Sequence, residues 1–142
     1  MKIIDAQVHI WSQTVTPTSG LHRKVTQFTA EDVLREMDEA GVDAALIHPP
    51  SGWDPDSNAL AIEAVRKYPD RFAILGNFPL DNPDERRRVR GWRSQPGMMC
   101  LRWPFLHPQQ QALLRDGSRS WLWPAAEAAG LWVAVVGVWF WP

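Results

Sequence analysis

A single cysteine, Cys100, stands among the 142 residues. One thiol cannot pair within its own chain, so a disulfide-stapled secreted scaffold is excluded, and a reducing cytoplasm is the compartment that fits. Charge of one sign is missing too. The formal net charge is -1 at pH 7, without the basic excess that draws a protein to a phosphate backbone, so no nucleic-acid partner is expected. Long hydrophobic runs are also absent. The longest, Leu131 to Trp141, is about half of the ~20 residues needed to cross a bilayer, so no membrane partner is expected. Met1-Lys2-Ile3-Ile4-Asp5 reaches an acid before an apolar h-region can form, which argues against a secretory signal. Neither Gly-x-Gly-x-x-Gly nor a P-loop occurs, so no glycine-rich phosphate cradle is expected. A Gly-x-Ser-x-Gly nucleophile elbow is absent as well.

What is present is apolar material. Hydrophobic residues make up 45% of the chain, enough for one domain over residues 1–142 and too little for two. Nine tryptophans are many for this length. Trp11, Trp53, Trp92 and Trp103 read as packing residues. Trp132, Trp139, Phe140 and Trp141 crowd the last residues before Pro142, and a bare aromatic edge is an unusual end for a stable domain.

Short apolar runs alternate with amphipathic stretches. Ile3–Ile10 reads as a strand, with Ile4, Ala6, Val8 and Ile10 alternating against Asp5, Gln7 and His9. A long polar loop, Ser12 to Gln27, follows and suggests a segment reaching over a site. Thr29 is an N-cap, with Asp32 in a capping-box position. The helix it opens lines up Val33, Leu34, Met37 and Ala40 and stops at Gly41. Val42–Ile47 is a strand of the type buried on both faces, and Pro49-Pro50-Ser51-Gly52 breaks it. Ser57–Tyr68 is a second helix, ending before Pro69. Phe72–Leu75 reads as a strand, Asp84–Trp92 as a charged helix and Met98–Leu101 as a strand. Trp121–Ala129 is a helix closed by Gly130, and Leu131–Val138 is a fifth strand. Five strands with four helices, at a βα period of about 30 residues, require a parallel sheet with right-handed crossovers. An open doubly wound sheet and a half-wound (β/α)₈ barrel both satisfy this.

Polar residues recur where the apolar runs end. His9 closes the first strand and His48 the second, Asn77 follows the third, and Arg102 closes the fourth. Strand C-termini are where a barrel gathers substrate and catalytic groups, although a doubly wound sheet binds ligands there too. Each residue has a structural alternative. His48 can hydrogen-bond a loop carbonyl, Asn77 can serve a turn near Gly76 and Pro79, and Arg102 can form an internal salt bridge. As a site residue, Arg102 offers a planar fork that matches a substrate carboxylate. Arg86, Arg87, Arg88, Arg90 and Arg93 read as a solvated helix face. His22 and His107 lie in polar loops with nothing tying them to chemistry. Cys100 reads as core.

The segment Ile4-Asp5-Ala6-Gln7-Val8-His9-Ile10-Trp11 resembles the first strand of the amidohydrolase-related family, with its pattern of roughly I-D-x-H-x-H-hydrophobic-W. Met37-Asp38-Glu39-Ala40-Gly41-Val42-Asp43 resembles that family's approach to the second strand, and Tyr68-Pro69-Asp70-Arg71-Phe72-Ala73 its entry to the third. Gln95-Pro96-Gly97 through Leu101-Arg102 resembles the fourth, and Ala125-Ala126-Glu127-Ala128-Ala129-Gly130-Leu131 the approach to the fifth. The likeness runs to about Val136. It implies a (β/α)₈ TIM barrel of which this chain is the N-terminal half, truncated before the catalytic machinery is complete. The family comprises metal-dependent hydrolases, lactonases and some decarboxylases. The resemblance puts His9 in the place of the second metal-binding histidine and Gln7 in the place of the first, and a glutamine carbonyl is a poor zinc ligand. A divalent metal such as zinc is thus implied by the family, while Gln7 and the absent later strands argue against a full site. Asp5 is expected to hold the strand at the barrel base.

The resulting expectation is a hydrolase directing water onto a small carboxylated, lactone or amide substrate. His9 and His48 are the candidate catalytic residues, and Arg102, Gln7 and Asn77 the candidate substrate contacts. Two other readings stand beside it. One is a decarboxylase of the same superfamily. The other is a homodimeric half-barrel, joined through its open sheet edges, that binds a small molecule without catalysis.

Overall fold

A computed structural model describes residues 1–12, 25–50, 54, 57–76 and 85–137. Five strands form one sheet in the order β1-β2-β3-β4-β5, every neighbouring pair parallel, curled into a half-barrel. They are β1 (Ile4–Val8), β2 (Ala44–Ile47), β3 (Phe72–Gly76), β4 (Met98–Phe105) and β5 (Trp132–Gly137). Sequential strand order is what a half-wound barrel requires and a doubly wound sheet, which reverses its order, does not show. The helices are α1 (Ala30–Ala40), α2 (Ser57–Lys67), α3 (Glu85–Gly91), α4 (Pro108–Arg115) and α5 (Leu122–Ala128), with a 3₁₀ turn at Trp92–Ser94.

The expected four helices are therefore five. α4 buries none of its residues, so it carries no apolar stripe from which periodicity could identify it. Its start is fixed locally instead: the Gln110 side-chain oxygen accepts the backbone N–H groups of Leu106 and His107. β4 also runs further than expected, through Pro104 to Phe105. Arg102 consequently sits inside the strand and does not close it. Pro104 lies beyond Leu101, where β4, among the described residues, is in register with β5 alone and no longer with β3, an edge position at which a missing N–H is tolerated.

One face of the sheet is packed against the helices and the other is more exposed. Ala45 and Ile47 of β2, Phe72 and Ile74 of β3, and Leu101, Trp103 and Phe105 of β4 join Val33, Met37, Ala61, Ala64, Val65, Val89, Leu122 and Ala126 of the helices in one core. Ile47, Ile74, Val89, Leu101 and Leu122 are completely buried, each contributing about 1.5–3 kcal/mol. On the opposite face Ala44, Leu46, Ala73, Arg102 and Pro104 are half-buried, with Leu75 and Cys100 buried between them. Helices thus cover one side of the sheet, and the concave side faces solvent.

Local signals set the helix ends. The Thr29 hydroxyl accepts the Asp32 N–H, and the Asp32 carboxylate accepts the Thr29 N–H, which closes the capping box at α1. Gly41 ends α1 in the left-handed region, its N–H reaching back to the last turn. Trp11, Trp92 and Trp103 are buried, as their reading as packing residues requires. Trp53, Trp139, Phe140 and Trp141 lie outside the described residues. Cys100 is buried, and burial pushes its thiol up from the ordinary range. Arg87, Arg88, Arg90 and Arg93 are exposed around the buried Val89, a solvated helix face as expected, while the Arg86 side chain lies outside the described ones. Among the described residues no helix is long and apolar enough to cross a membrane.

Gly97 carries the sharpest single constraint. It turns into β4 with φ 71°, and a Cβ there would lie 2.5 Å from Val65 Cγ1 on α2. Backbone strain and overpacking would act together. Gly97→Ala is expected to destabilise the fold by about 2–4 kcal/mol, and a chemical denaturation midpoint unchanged from wild type would refute this placement.

Candidate active site

All five strands are parallel, so all their C-terminal ends arrive at one rim, and His9 and His48 meet there. β1 ends at Val8 and β2 at Ile47, which leaves His9 and His48 one residue beyond their strands. Their rings lie 5.3 Å apart, centroid to centroid. His9 Nδ1 lies 2.7 Å from the backbone carbonyl oxygen of His48 on the next strand. His48 Nδ1 lies 2.8 Å from the carbonyl oxygen of Leu75 on the strand after that. A carbonyl can only accept, so both Nδ1 atoms carry the proton and donate. In the neutral ring each Nε2 is then the acceptor, with its lone pair directed away from the sheet backbone.

His48 is 4% exposed. Burial drives its pKa down to about 4, the neighbouring Arg102 and His9 adding to the shift against an opposing hydrogen bond to Leu75. It is therefore neutral at physiological pH, a hydrogen-bond acceptor and a weak base. Arg102 lies on the concave side of β4, paired in register with Ala134. It is half-buried, and burial lowers its pKa. Among the described residues no carboxylate forms an ion pair with it. The internal salt bridge that its position allowed is not formed within the described structure, and a half-buried guanidinium is left facing the concavity.

Gln7 is exposed on β1, and its amide nitrogen lies 3.4 Å from His9 Nε2. Two residues apart along an extended chain, Gln7 and His9 fall on the same side of the sheet. Asp5 is exposed, and its carboxylate accepts the Gln7 N–H, so its bond is local to the strand. Asn77 and His22 lie outside the described residues. His107 precedes α4, away from the rim histidines in the chain.

One residue of this region was not anticipated. Asp54 is 1% exposed. Its carboxylate accepts the Ser12 N–H at 3.3 Å, and its backbone bonds Pro50 and Ser57. It joins the segment leaving β1 to the loop leaving β2. The neighbouring residues in the chain do not distinguish a buried carboxylate at Asp54 from an exposed one.

No protein-family model matches the chain, and no curated protein does. Solved structures do. A probable 2-pyrone-4,6-dicarboxylic acid hydrolase from Acinetobacter baumannii, solved with citric acid bound, superposes with a TM-score of 0.63 at 19% identity, over 95% of this chain and 49% of its own. An amidohydrolase from Burkholderia multivorans, solved with zinc bound, superposes with a TM-score of 0.68 at 19% identity, over 96% of this chain and 49% of its own. This chain spans about half the length of either structure. The likeness is one of fold.

The residues here do not fit a zinc centre. The Gln7 amide N–H is directed at the His9 Nε2 lone pair that a metal would need, and a glutamine oxygen would be a weak substitute for an imidazole. Among the described residues no group of three or more His, Cys, Asp or Glu side chains is placed to hold an ion.

The low His48 pKa has a consequence for stability. Between the ordinary histidine value of 6.5 and the folded value of about 4, the unfolded chain binds a proton that the folded chain does not. Stability therefore falls as pH drops through that window, by up to about 3 kcal/mol. The carboxylates of Glu31 and Asp32, both held below their ordinary values by hydrogen bonds, lose their contribution only at lower pH. Denaturation of wild type and His48→Asn between about pH 5 and 6.5 is expected to show the steeper slope in wild type. Equal slopes would contradict a neutral, buried His48.

Proposed function

We propose that this chain carries the carboxylate-recognising part of a barrel hydrolase acting on a small carboxylated substrate. The observation that supports it is Arg102, a half-buried guanidinium with no ion-pair partner among the described residues, close enough to the neutral His48 imidazole to lower its pKa. A substrate carboxylate would occupy the fork of the guanidinium through two parallel hydrogen bonds. His48 Nε2 would accept a hydrogen bond from a substrate hydroxyl or from the attacking water. Gln7 would hold His9 in its tautomer and present its amide oxygen to the ligand.

The proton-abstracting step belongs to another group in this reading. A base with a pKa of about 4 is poorly matched to activating water near pH 7, so His48 orients and does not ionise its partner. The names of the two structural neighbours, one a dicarboxylic acid hydrolase and one an amidohydrolase, support the hydrolase class by analogy of fold. A binding module without turnover is the second reading, favoured by the weak basicity of His48. A decarboxylase would use the same carboxylate contact and differ in releasing carbon dioxide.

Citrate is a suitable probe, titrated calorimetrically at low and high salt. Wild type is expected to bind it, and Arg102→Met to bind at least about tenfold more weakly, the loss of one charge-assisted pair. Trimethyl citrate, which lacks the carboxylates, is expected not to bind. Equal citrate affinity in wild type and Arg102→Met would overturn the assignment.

A further inference from the structure

On the helix-covered side of the sheet, a cleft of about 270 Å³ opens between α1, α2 and the segment that leaves β1. Ile10, Trp11 and Ala64 are almost fully buried at its floor, and Phe28, Leu60 and Tyr68 are half-buried along its walls. An antiparallel bridge joins Trp11 to Phe28, with their ring centroids 5.3 Å apart. On α2, Leu60, Glu63, Ala64 and Lys67 recur at helical spacing and so share the face that borders the cleft. The first turn of α1, with Ala30 and Glu31, stands opposite them. Ala30 and Ala64 are too small to fill the space between the two helices.

Charge around this cleft is unbalanced. The Lys67 ammonium lies 2.6 Å from the Glu31 carboxylate, which also accepts the Tyr68 hydroxyl at 2.9 Å. Those bonds hold the Glu31 carboxyl well below its usual range, so it stays ionised at neutral pH. Lys67 is thereby committed to Glu31, with its Nζ 5.1 Å from the Tyr68 ring centroid. Glu63 is exposed and forms no ion pair among the described residues. One ammonium thus faces two carboxylates, beside three aromatic rings whose faces attract cations. We propose that this cleft binds a small arylalkyl ammonium ion, its ring against Trp11 and Phe28 and its charge at Glu63.

Size, wall chemistry and charge select this class of ligand. A cavity of roughly 150 Å³ already admits benzene, so 270 Å³ accommodates one ring with a short alkyl arm. The apolar floor and walls favour the ring over a polar body of the same size. An anionic ligand of that shape would meet a carboxylate in excess, and an uncharged one would leave Glu63 without a counter-charge. The cleft is distinct from the rim. His9 and Ile10 are neighbours in the chain, yet His9 contributes to the rim and Ile10 to the cleft. Occupation of the cleft therefore does not depend on the reading of Arg102.

Phenethylammonium titrated into the uniformly ¹⁵N-labelled full chain tests the site, read by ¹H–¹⁵N correlation spectra. Saturable shifts are expected at the Trp11 indole N–H, which donates to the Val25 carbonyl, and at the Leu60 and Ala64 amides, with a Kd of about 1 mM or below. Phenethyl alcohol and phenylacetate, which keep the ring without the positive charge, are each expected to bind about threefold more weakly or worse. Glu63→Gln, a change at an exposed position, is expected to keep the spectrum of the folded chain and to remove the advantage of the ammonium over the alcohol. Absence of saturable shifts at any soluble concentration would overturn the proposal, whatever else fills the cleft. So would shifts confined to other residues, equal affinity for either analogue, or an ammonium affinity unchanged in Glu63→Gln.

Discussion

Parallel strand direction is the constraint from which the rest of this structure follows. Because β1 to β5 run the same way in sequential order, their C-terminal ends share one rim, and residues distant in sequence meet there. Helices must return on one side of the sheet, so that side is packed and the other stays open. The same geometry brings a carbonyl near the end of one strand within reach of the histidine that follows the strand before it. His9 bonds the carbonyl of His48, and His48 bonds the carbonyl of Leu75. The backbone of each neighbouring strand therefore sets the tautomer of each imidazole.

The chemistry of the rim follows from what those bonds leave over. With both Nδ1 atoms donating to carbonyls, the rings present acceptors and no charge, and burial keeps His48 neutral. Arg102 adds a cation that no described carboxylate neutralises. A concavity with one cation beside a neutral imidazole acceptor complements an anion that also carries a hydroxyl group or bound water. Among the described residues His48 is too weak a base to activate water near neutral pH, and the Gln7 amide directed at His9 does not favour a metal. In the proposed reading the described rim residues therefore serve recognition of the substrate.

Much of the fold could be read from residue order because its signals are local and redundant. Thr29 and Asp32 announce α1, Gly41 ends it, and the apolar runs of β2, β3 and β5 fall within one or two residues of their observed limits. α4 was invisible because every side chain in it is at least partly exposed, and hydrophobic periodicity reports burial alone. The reach of β4 past Arg102 was hidden by Pro104, which reads as a strand breaker until its pairing with β5 is known. At the rim, His9, His48 and Arg102 were recognisable as polar residues near the ends of apolar runs. Their hydrogen bonds were not, since those depend on strand register, and register is a long-range property. Asp54 was missed for the same reason: its partner at Ser12 is adjacent only in the folded chain.

The most direct test of this account is the proton position on the two rim imidazoles. Long-range ¹H–¹⁵N correlation spectra of uniformly labelled protein near pH 7, assigned with His9→Gln and His48→Asn, report which ring nitrogen carries the hydrogen. The account predicts a neutral Nδ1–H tautomer for both residues, with Nε2 unprotonated. An Nε2–H tautomer at His48, or a charged ring there at neutral pH, would break the bond to Leu75 on which the site's geometry rests and would contradict it.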